Sequence, residues 1–301
     1  GSMFFQQIIN GLSVGSVYAL VTVGFSMVWS ILLLVNFAHS SFYILGAYVT
    51  LFMMAMFGMN FKGYLLAIAV SILVSTVLTF VMERGLLRTI RNRKAAGISA
   101  MLCTIGVQAI INNGIQTIFG SESKAFPDVL KLGKFKFNLL GSEVVVTWFQ
   151  IVILVVALLL MLIASGIVYK TKVGTAMRAI SQNPLAAQLV GVNVNAVITM
   201  TFIMGSVIAV IAGSMVGMHY RTIDTAMAVS VSSKTMAAAI LGGIGYLPGA
   251  VVGSLIIGVS ETLFSAYISS GYKDAIAFCI LIIFILFKPT GLFGKKNVVK
   301  V

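Results

Sequence analysis

The chain has 301 residues, of which 59% are hydrophobic and 9% charged, with a formal net charge of +13 and a mean hydropathy of +1.08. Ordinary soluble domains are about a quarter charged, so this composition excludes one and indicates an all-α polytopic integral membrane protein. The excess of lysine and arginine does not indicate nucleic acid, because the basic residues are not gathered on a motif that reads DNA or RNA; they follow the connections between apolar runs.

Gly1 and Ser2, ahead of Met3, read as a tag remnant, and no basic segment precedes the first apolar run, so no cleaved signal peptide is expected. A bilayer crossing takes roughly 17–25 residues, and apolar segments of that kind are predicted at 5–30, 38–58, 64–82, 98–119, 144–168, 196–218, 248–268 and 272–288. Asn36 and His39, in LLLVNFAHSSFY, interrupt the apolar character between the first two spans, so the chain turns there. Polar residues at such a break either line a pathway or satisfy backbone groups freed by the turn, and both readings stand. The connection 120–143 has mixed sign, with Lys124, Lys131, Lys134 and Lys136 beside Glu122, Asp128 and Glu143.

The run VVVTWFQIVILVVALLLMLIASGIV, 144–168, holds no charge and is the clearest span. After it, residues 169–195 form a polar loop containing RAISQNPLAAQLVGV, where a short helix is predicted over 184–190. Asn183 can cap its first turn, Pro184 suits the first helical position, and Gly191 stands where a left-handed terminus falls.

Gly205, Ala209, Gly213 and Gly217 then recur every four residues and predict a close helix contact, as does the row Gly245, Gly249 and Gly253 after SKTMAAAILGGIG. That glycine-broken piece, from Ser233, is either a partial crossing or a complete thin one, so the count is eight or nine helices, some broken or partial. His219 and Arg221 sit at the end of a span, where basic and aromatic side chains commonly anchor. Glu261, in IIGVSETLFSAY, is the sole acid deep in a predicted span, and Lys234 or Arg221 could meet it.

Twelve of the 20 basic residues and one of the seven acids fall in three regions: Arg84, Arg88, Arg91, Arg93 and Lys94 with Glu83; Lys170, Lys172 and Arg178; and Lys288, Lys295, Lys296 and Lys300. Lysine and arginine collect in cytoplasmic loops. This bias places those regions in the cytoplasm, 120–143 outside, the N-terminus outside and the C-terminus inside, which requires nine crossings. On the outer side Arg221 neighbours Asp224, and Lys273 neighbours Asp274.

Catalytic machinery is not indicated. GLFGKK lacks the leading glycine and the final Ser or Thr of a phosphate-binding loop, no hydrolase or zinc motif appears, and no residues carry metal-ligand spacing. Cys103 and Cys279 lie in apolar runs and read as small hydrophobes.

Three ordered stretches resemble one family. NGLSVGSVYALVTVGFSMVWSILLLVNFAHSSFYILGAYV, GTAMRAISQNPLAAQLVGVNVNAV and AAAILGGIGYLPGAVVGSLIIGVSETL are similar to the LivH-type permeases, the branched-chain amino acid subunits of ABC importers. The resemblance implies a single transmembrane permease domain over 1–301 in a bacterial cytoplasmic (inner) membrane. Its partners would be a second permease, identical or paralogous, two cytoplasmic ATPase subunits that bind ATP and Mg, and an extracytoplasmic binding protein. This chain itself would hold no cofactor and perform no catalysis.

In that family of importers a Glu-Ala-Ala, three residues, Gly pattern docks on the ATPase. Leu185, Ala186, Ala187 and Gly191 fit its spacing with Leu in place of Glu, so the resemblance assigns coupling to Asn183, Pro184, Leu185, Ala186, Ala187, Leu189 and Gly191. Asn36, His39 and Glu261 are the candidates for the translocation path. The same fold importing urea, amides or other amino acids is the first alternative, and an ion-coupled secondary transporter using Glu261 is the second.

Overall fold

A computed structural model describes residues 2–95 and 97–294. Lys295, Lys296 and Lys300, assigned above to the basic tail, lie outside the described residues.

Local chemistry explains most element boundaries. Helix α1 (Ser2–Leu32) closes at Leu33, whose left-handed φ of 53° turns its N–H onto the Trp29 carbonyl at 3.0 Å. Helix α2 (His39–Phe57) closes at Gly58, with φ of 116° and an N–H bond to the Met54 carbonyl. Asn60 caps α3 (Phe61–Met82) by accepting the Gly63 amide at 2.8 Å. The basic segment after residue 82, read above as a loop, continues the helix through a π-helical turn (Glu83–Leu87) into α4 (Arg88–Asn92). Leu87 is buried and Glu83 is held by two arginines, which keeps this extension folded against the body.

Helix α5 (Gly97–Phe119) is followed by the short strand β1 (Lys124–Ala125) and a hairpin, β2 (Lys134–Leu139) and β3 (Ser142–Thr147). Leu140 and Gly141 both have positive φ, 51° and 81°, as a two-residue primed hairpin turn requires. The predicted span 144–168 is therefore divided. Val144, Val145 and Val146 pair across the hairpin with Phe137, Lys136 and Phe135, and α6 (Trp148–Lys170) begins only after Thr147, which forms a capping box with Gln150. Lys136 bonds Glu143 at 2.9 Å on this hairpin, which raises the lysine above its ordinary range.

Helices α7 (Lys172–Gln182) and α8 (Pro184–Leu189) occupy the polar loop, so more of 169–195 is helical than the single helix predicted there. Next come α9 (Val194–Tyr220), strand β4 (Thr222–Ile223) paired with β1, α10 (Met227–Gly242), α11 (Leu247–Tyr267), a 3₁₀ turn (Ser270–Tyr272) and α12 (Lys273–Phe287).

Eight of the described helical segments are long and apolar enough to cross a membrane. Helix α10 is the ninth. Its 16 residues rise roughly 24 Å at about 1.5 Å each, short of a hydrocarbon core of about 30 Å. Its ends nevertheless lie on opposite faces. Asp224 accepts the Met227 amide at its start next to β4, while just beyond its end Gly245 lies against Ser30 near the far end of α1, and the Leu292 amide bonds the Leu241 carbonyl. The glycine-broken piece from Ser233 is the second half of this helix, which passes from one face of the bundle to the other.

The chain thus has a hairpin face and a basic face. Gln6 bonds both the N–H and the carbonyl of Val145, at 2.8 and 3.0 Å, which fixes the N-terminal end of α1 on the hairpin face. Helix α1 is central, packed by α11, α9, α6 and α10, while α5, α6 and α12 turn most of their surface outward. Glycines permit the approach: a methyl at Gly11 would fall 2.6 Å from the Val259 Cα, and one at Gly46 would fall 2.6 Å from the Val210 Cα.

Candidate functional site

A cavity of about 650 Å³ opens on the hairpin face between α1, α10, α11 and the loops at β4 and α12. Its polar wall is contributed by distant parts of the chain: Tyr18 from α1, Lys234 from α10 and Glu261 from α11. Burying an ion pair is tolerable only when its remaining donors and acceptors are satisfied, and here they are. Lys234 Nζ donates to Glu261 Oε1 at 3.0 Å, to the Tyr18 hydroxyl oxygen at 3.0 Å and to Asp274 Oδ1 at 2.7 Å. The Tyr18 hydroxyl in turn donates to Glu261, 3.1 Å from Oε1 and 3.0 Å from Oε2. Just below, Ser254 donates to Thr22 at 3.1 Å, continuing the polar contact between α11 and α1.

Of the two partners foreseen for Glu261, the structure selects Lys234. Arg221 instead pairs with Asp128 at 2.8 Å, and Asp224, three residues on, accepts the Met227 amide at the start of α10. Asp274 likewise passes over its neighbour Lys273 for Lys234. His219 lies between Phe149 and Tyr220. Tyr18 and Asp274 had no sequence signal as members of the cluster: one is an aromatic in an apolar run, the other an acid beside a lysine.

Asn36 and His39 are not with Glu261. Both are buried at the α1–α2 corner, where Asn36 Oδ1 accepts the Ala38 amide at 3.1 Å and the His39 ring meets the Val21 carbonyl at 2.8 Å. His39 also fills the groove beside Gly24. These bonds serve the backbone freed by the turn, and neither residue lines the large cavity; Asn36 borders a small separate cleft with Arg91 and Thr104.

On the basic face α8 stands out from the body. Asn183 Oδ1 accepts the amides of Leu185 and Ala186 at 3.0 and 3.1 Å, Pro184 opens the helix, and Gly191 ends it with φ of 94°. The helix stops at Leu189, with Val190 as its C-terminal cap, one residue short of the predicted 190. Leu185, Leu189 and Val190 are 68%, 82% and 80% exposed. Ala186 also faces outward, but Ala187 is buried within this chain. Ala187, grouped above with the docking residues, therefore packs inward, because the amphipathic turn puts it on the side opposite Leu185 and Leu189.

The small-residue rows pack within the chain. Gly205 meets Val28 of α1, Ala209 is fully buried, a methyl at Gly213 would overlap the Tyr43 carbonyl of α2, and one at Gly217 would press on Phe126. Gly249 approaches the Gly242 carbonyl, Gly253 that of Ala238, and Gly245 lies against Ser30 with φ of 79°.

A second buried charge cluster lies on the basic face. Glu83, fully buried, accepts from Arg88 at 3.2 Å, from Arg91 at 2.5 Å and from the Thr199 hydroxyl, joining the end of α3 to the start of α9. Arg91 also donates to Asn195 at 3.0 Å.

A family model described as "Branched-chain amino acid transport system / permease component" matches residues 7–285. The high-affinity branched-chain amino acid transport system permease protein BraD of Pseudomonas aeruginosa is 36% identical over 306 residues, covering 99% of this chain and 98% of that one. The corresponding permease protein LivH of Escherichia coli K12 is 35% identical over 304 residues, with the same coverage. The ribose import permease protein RbsC of Haemophilus influenzae is 27% identical over 140 residues, 44% of this chain and 43% of that one. No solved structure matches the chain.

Proposed function

The chain belongs to the family of permease components of branched-chain amino acid transport systems, and on that premise we propose that it is one of two permease subunits of an ATP-driven importer of leucine, isoleucine and valine. The basic face is cytoplasmic, following the bias of lysine and arginine, and the hairpin face with its cavity is outward. An extracytoplasmic binding protein delivers the amino acid to that face. Two cytoplasmic ATPases, which bind ATP and Mg, grip α8, and their closure rocks the helices on either side. No covalent chemistry takes place on this chain.

The observation that carries this reading is the capped helix α8. Burial of large apolar side chains is worth about 1.5–3 kcal/mol each, yet Leu185, Leu189 and Val190 are left in water on the face richest in positive charge. A partner that covers them gains that energy, and the Asn183 cap, worth about 1 kcal/mol, holds the face rigid for it. Crosslinking from Gln188→Cys, with Cys103 and Cys279 replaced by serine, in complexes purified from the native membrane tests this. ATPase subunits joined at position 188 are the expected result. Recovery of this chain alone, with uptake persisting in ATP-depleted vesicles, would replace the importer by a carrier or channel.

A further inference from the structure

Three polar groups in or beside the outward cavity are weakly partnered or unpartnered: Asp274, which touches Lys234 from outside the lining, and Tyr43 and Asp224 on the wall. Asp274 lies 2.7 Å from Lys234, but its side chain is 65% exposed against 4% for the lysine. With its acid in water this contact is screened and weak, so another carboxylate can replace it on Lys234 at little cost. The Tyr43 hydroxyl is buried, borders the same cavity and has no hydrogen-bond partner among the described residues. A buried hydroxyl in that state is costly, and a ligand oxygen would satisfy it. Asp224, also on the wall, spends Oδ1 on the Met227 amide, and Oδ2 has no partner among the described residues.

The charges inside the cavity match one ligand class. Lys234 Nζ and Glu261 Oε1 stand 3.0 Å apart, opposite charges as close as the carboxylate and ammonium of an α-amino acid. Urea and simple amides carry no charge to meet them, and an amino acid with a longer separation between its charges cannot span the pair. Val14, Val17, Val231 and Met227 supply an apolar wall beside it, the mixture of apolar lining and few convergent polar groups that small-molecule sites show.

We propose that this cavity is a receiving site on the permease itself for the free α-amino acid zwitterion. The substrate carboxylate displaces Asp274 from Lys234, with the Tyr43 hydroxyl as a further donor; the ammonium lies on Glu261 and Asp224; the branched side chain rests on Val14, Val17 and Val231. The cargo class rests on the function proposed above, and the assignment of its recognition to these residues of this chain goes beyond it. Asp274 acts as a stand-in carboxylate that keeps Lys234 neutralised while the site is empty.

The test is ligand-observed saturation-transfer NMR on the whole complex, purified without the binding protein, using L-leucine, L-leucinamide, which lacks the carboxylate, and 4-methylpentanoate, which lacks the ammonium. Leucine alone is expected to bind. K234Q is expected to abolish that binding. Because loss of a buried charge can also unfold the chain, D274N serves as the second arm. Its acid is mostly in water, and removing the competitor is expected to tighten leucine by about fivefold. Equal binding of leucinamide, or D274N binding that is unchanged or weaker, overturns the assignment. ATP-driven leucine uptake is measured on the same preparation with the binding protein added. Uptake without binding at the cavity overturns this inference alone, whereas absence of leucine uptake overturns the proposed function.

Discussion

Two buried acids show how differently single residues disclose themselves. Glu261 is legible in the sequence because a carboxylate inside an apolar run has no inexpensive explanation; Lys234 is legible only as one of its two possible partners. Tyr18 and Asp274 are not, since nothing local distinguishes a tyrosine or a helix-start acid that reaches a partner on another helix. Glu83 passes for one charge of a solvated basic loop, and only the folded chain shows it fully buried between α3 and α9. Removing one member of a buried pair costs about 3–5 kcal/mol because the remaining charge is left uncompensated. Arg88 and Arg91 retain 24% and 27% exposure, so E83A should fall at the lower end, about 3 kcal/mol, and E83Q should cost less because it still accepts from Thr199. Thermal unfolding of the detergent-solubilised chain measures both, and an E83A midpoint equal to that of the unaltered chain contradicts the assigned network.

For the helices, spacing identifies a face but not what it meets. The repeat of small residues on α9 reads directly as a contact stripe, whereas its neighbours, α1 and α2, are set by the topology. A methyl at Gly213 overlaps the Tyr43 carbonyl, while at Gly106 on α5 nothing lies within 4 Å. Overpacking costs about 1–3 kcal/mol, and an unobstructed glycine-to-alanine change in a helix gains up to about 1 kcal/mol. G213A should therefore lower the thermal midpoint of the isolated chain while G106A leaves or raises it. Equal effects would show that α9 and α2 are not packed as described. The helix α8 follows the opposite logic: Asn183, Pro184 and Gly191 announce its limits from the sequence alone, because capping is a contest among adjacent backbone groups.

Across the molecule, eight long apolar helices and the shorter α10 put the two described ends of the chain on opposite faces, and the distribution of charge makes those faces unlike. The count depends on α10, the helix whose hydropathy is broken by glycines. Membrane-impermeant thiol reagents applied to intact cells check both count and orientation. With the native cysteines replaced, L140C on the hairpin turn should label from outside, and L189C on α8 should label only after the membrane is opened. Labelling of both from outside would remove the orientation proposed here and, with it, the assignment of α8 to the ATPase.

What the sequence alone determined is the class of molecule, the near-complete set of spans, the segregation of basic residues and the capped helix, all of which follow from hydropathy, charge and backbone capping acting within a few residues. The tertiary structure alone decided that Val144–Val146 pair in a hairpin, that the two ends of α10 lie on opposite faces of the bundle, that Ala187 packs inward, and that Tyr18, Glu261 and Asp274 converge on Lys234. The reason is the low-dielectric interior: a charge buried there must find its partners wherever the packed helices bring them, and that demand has no period in the sequence.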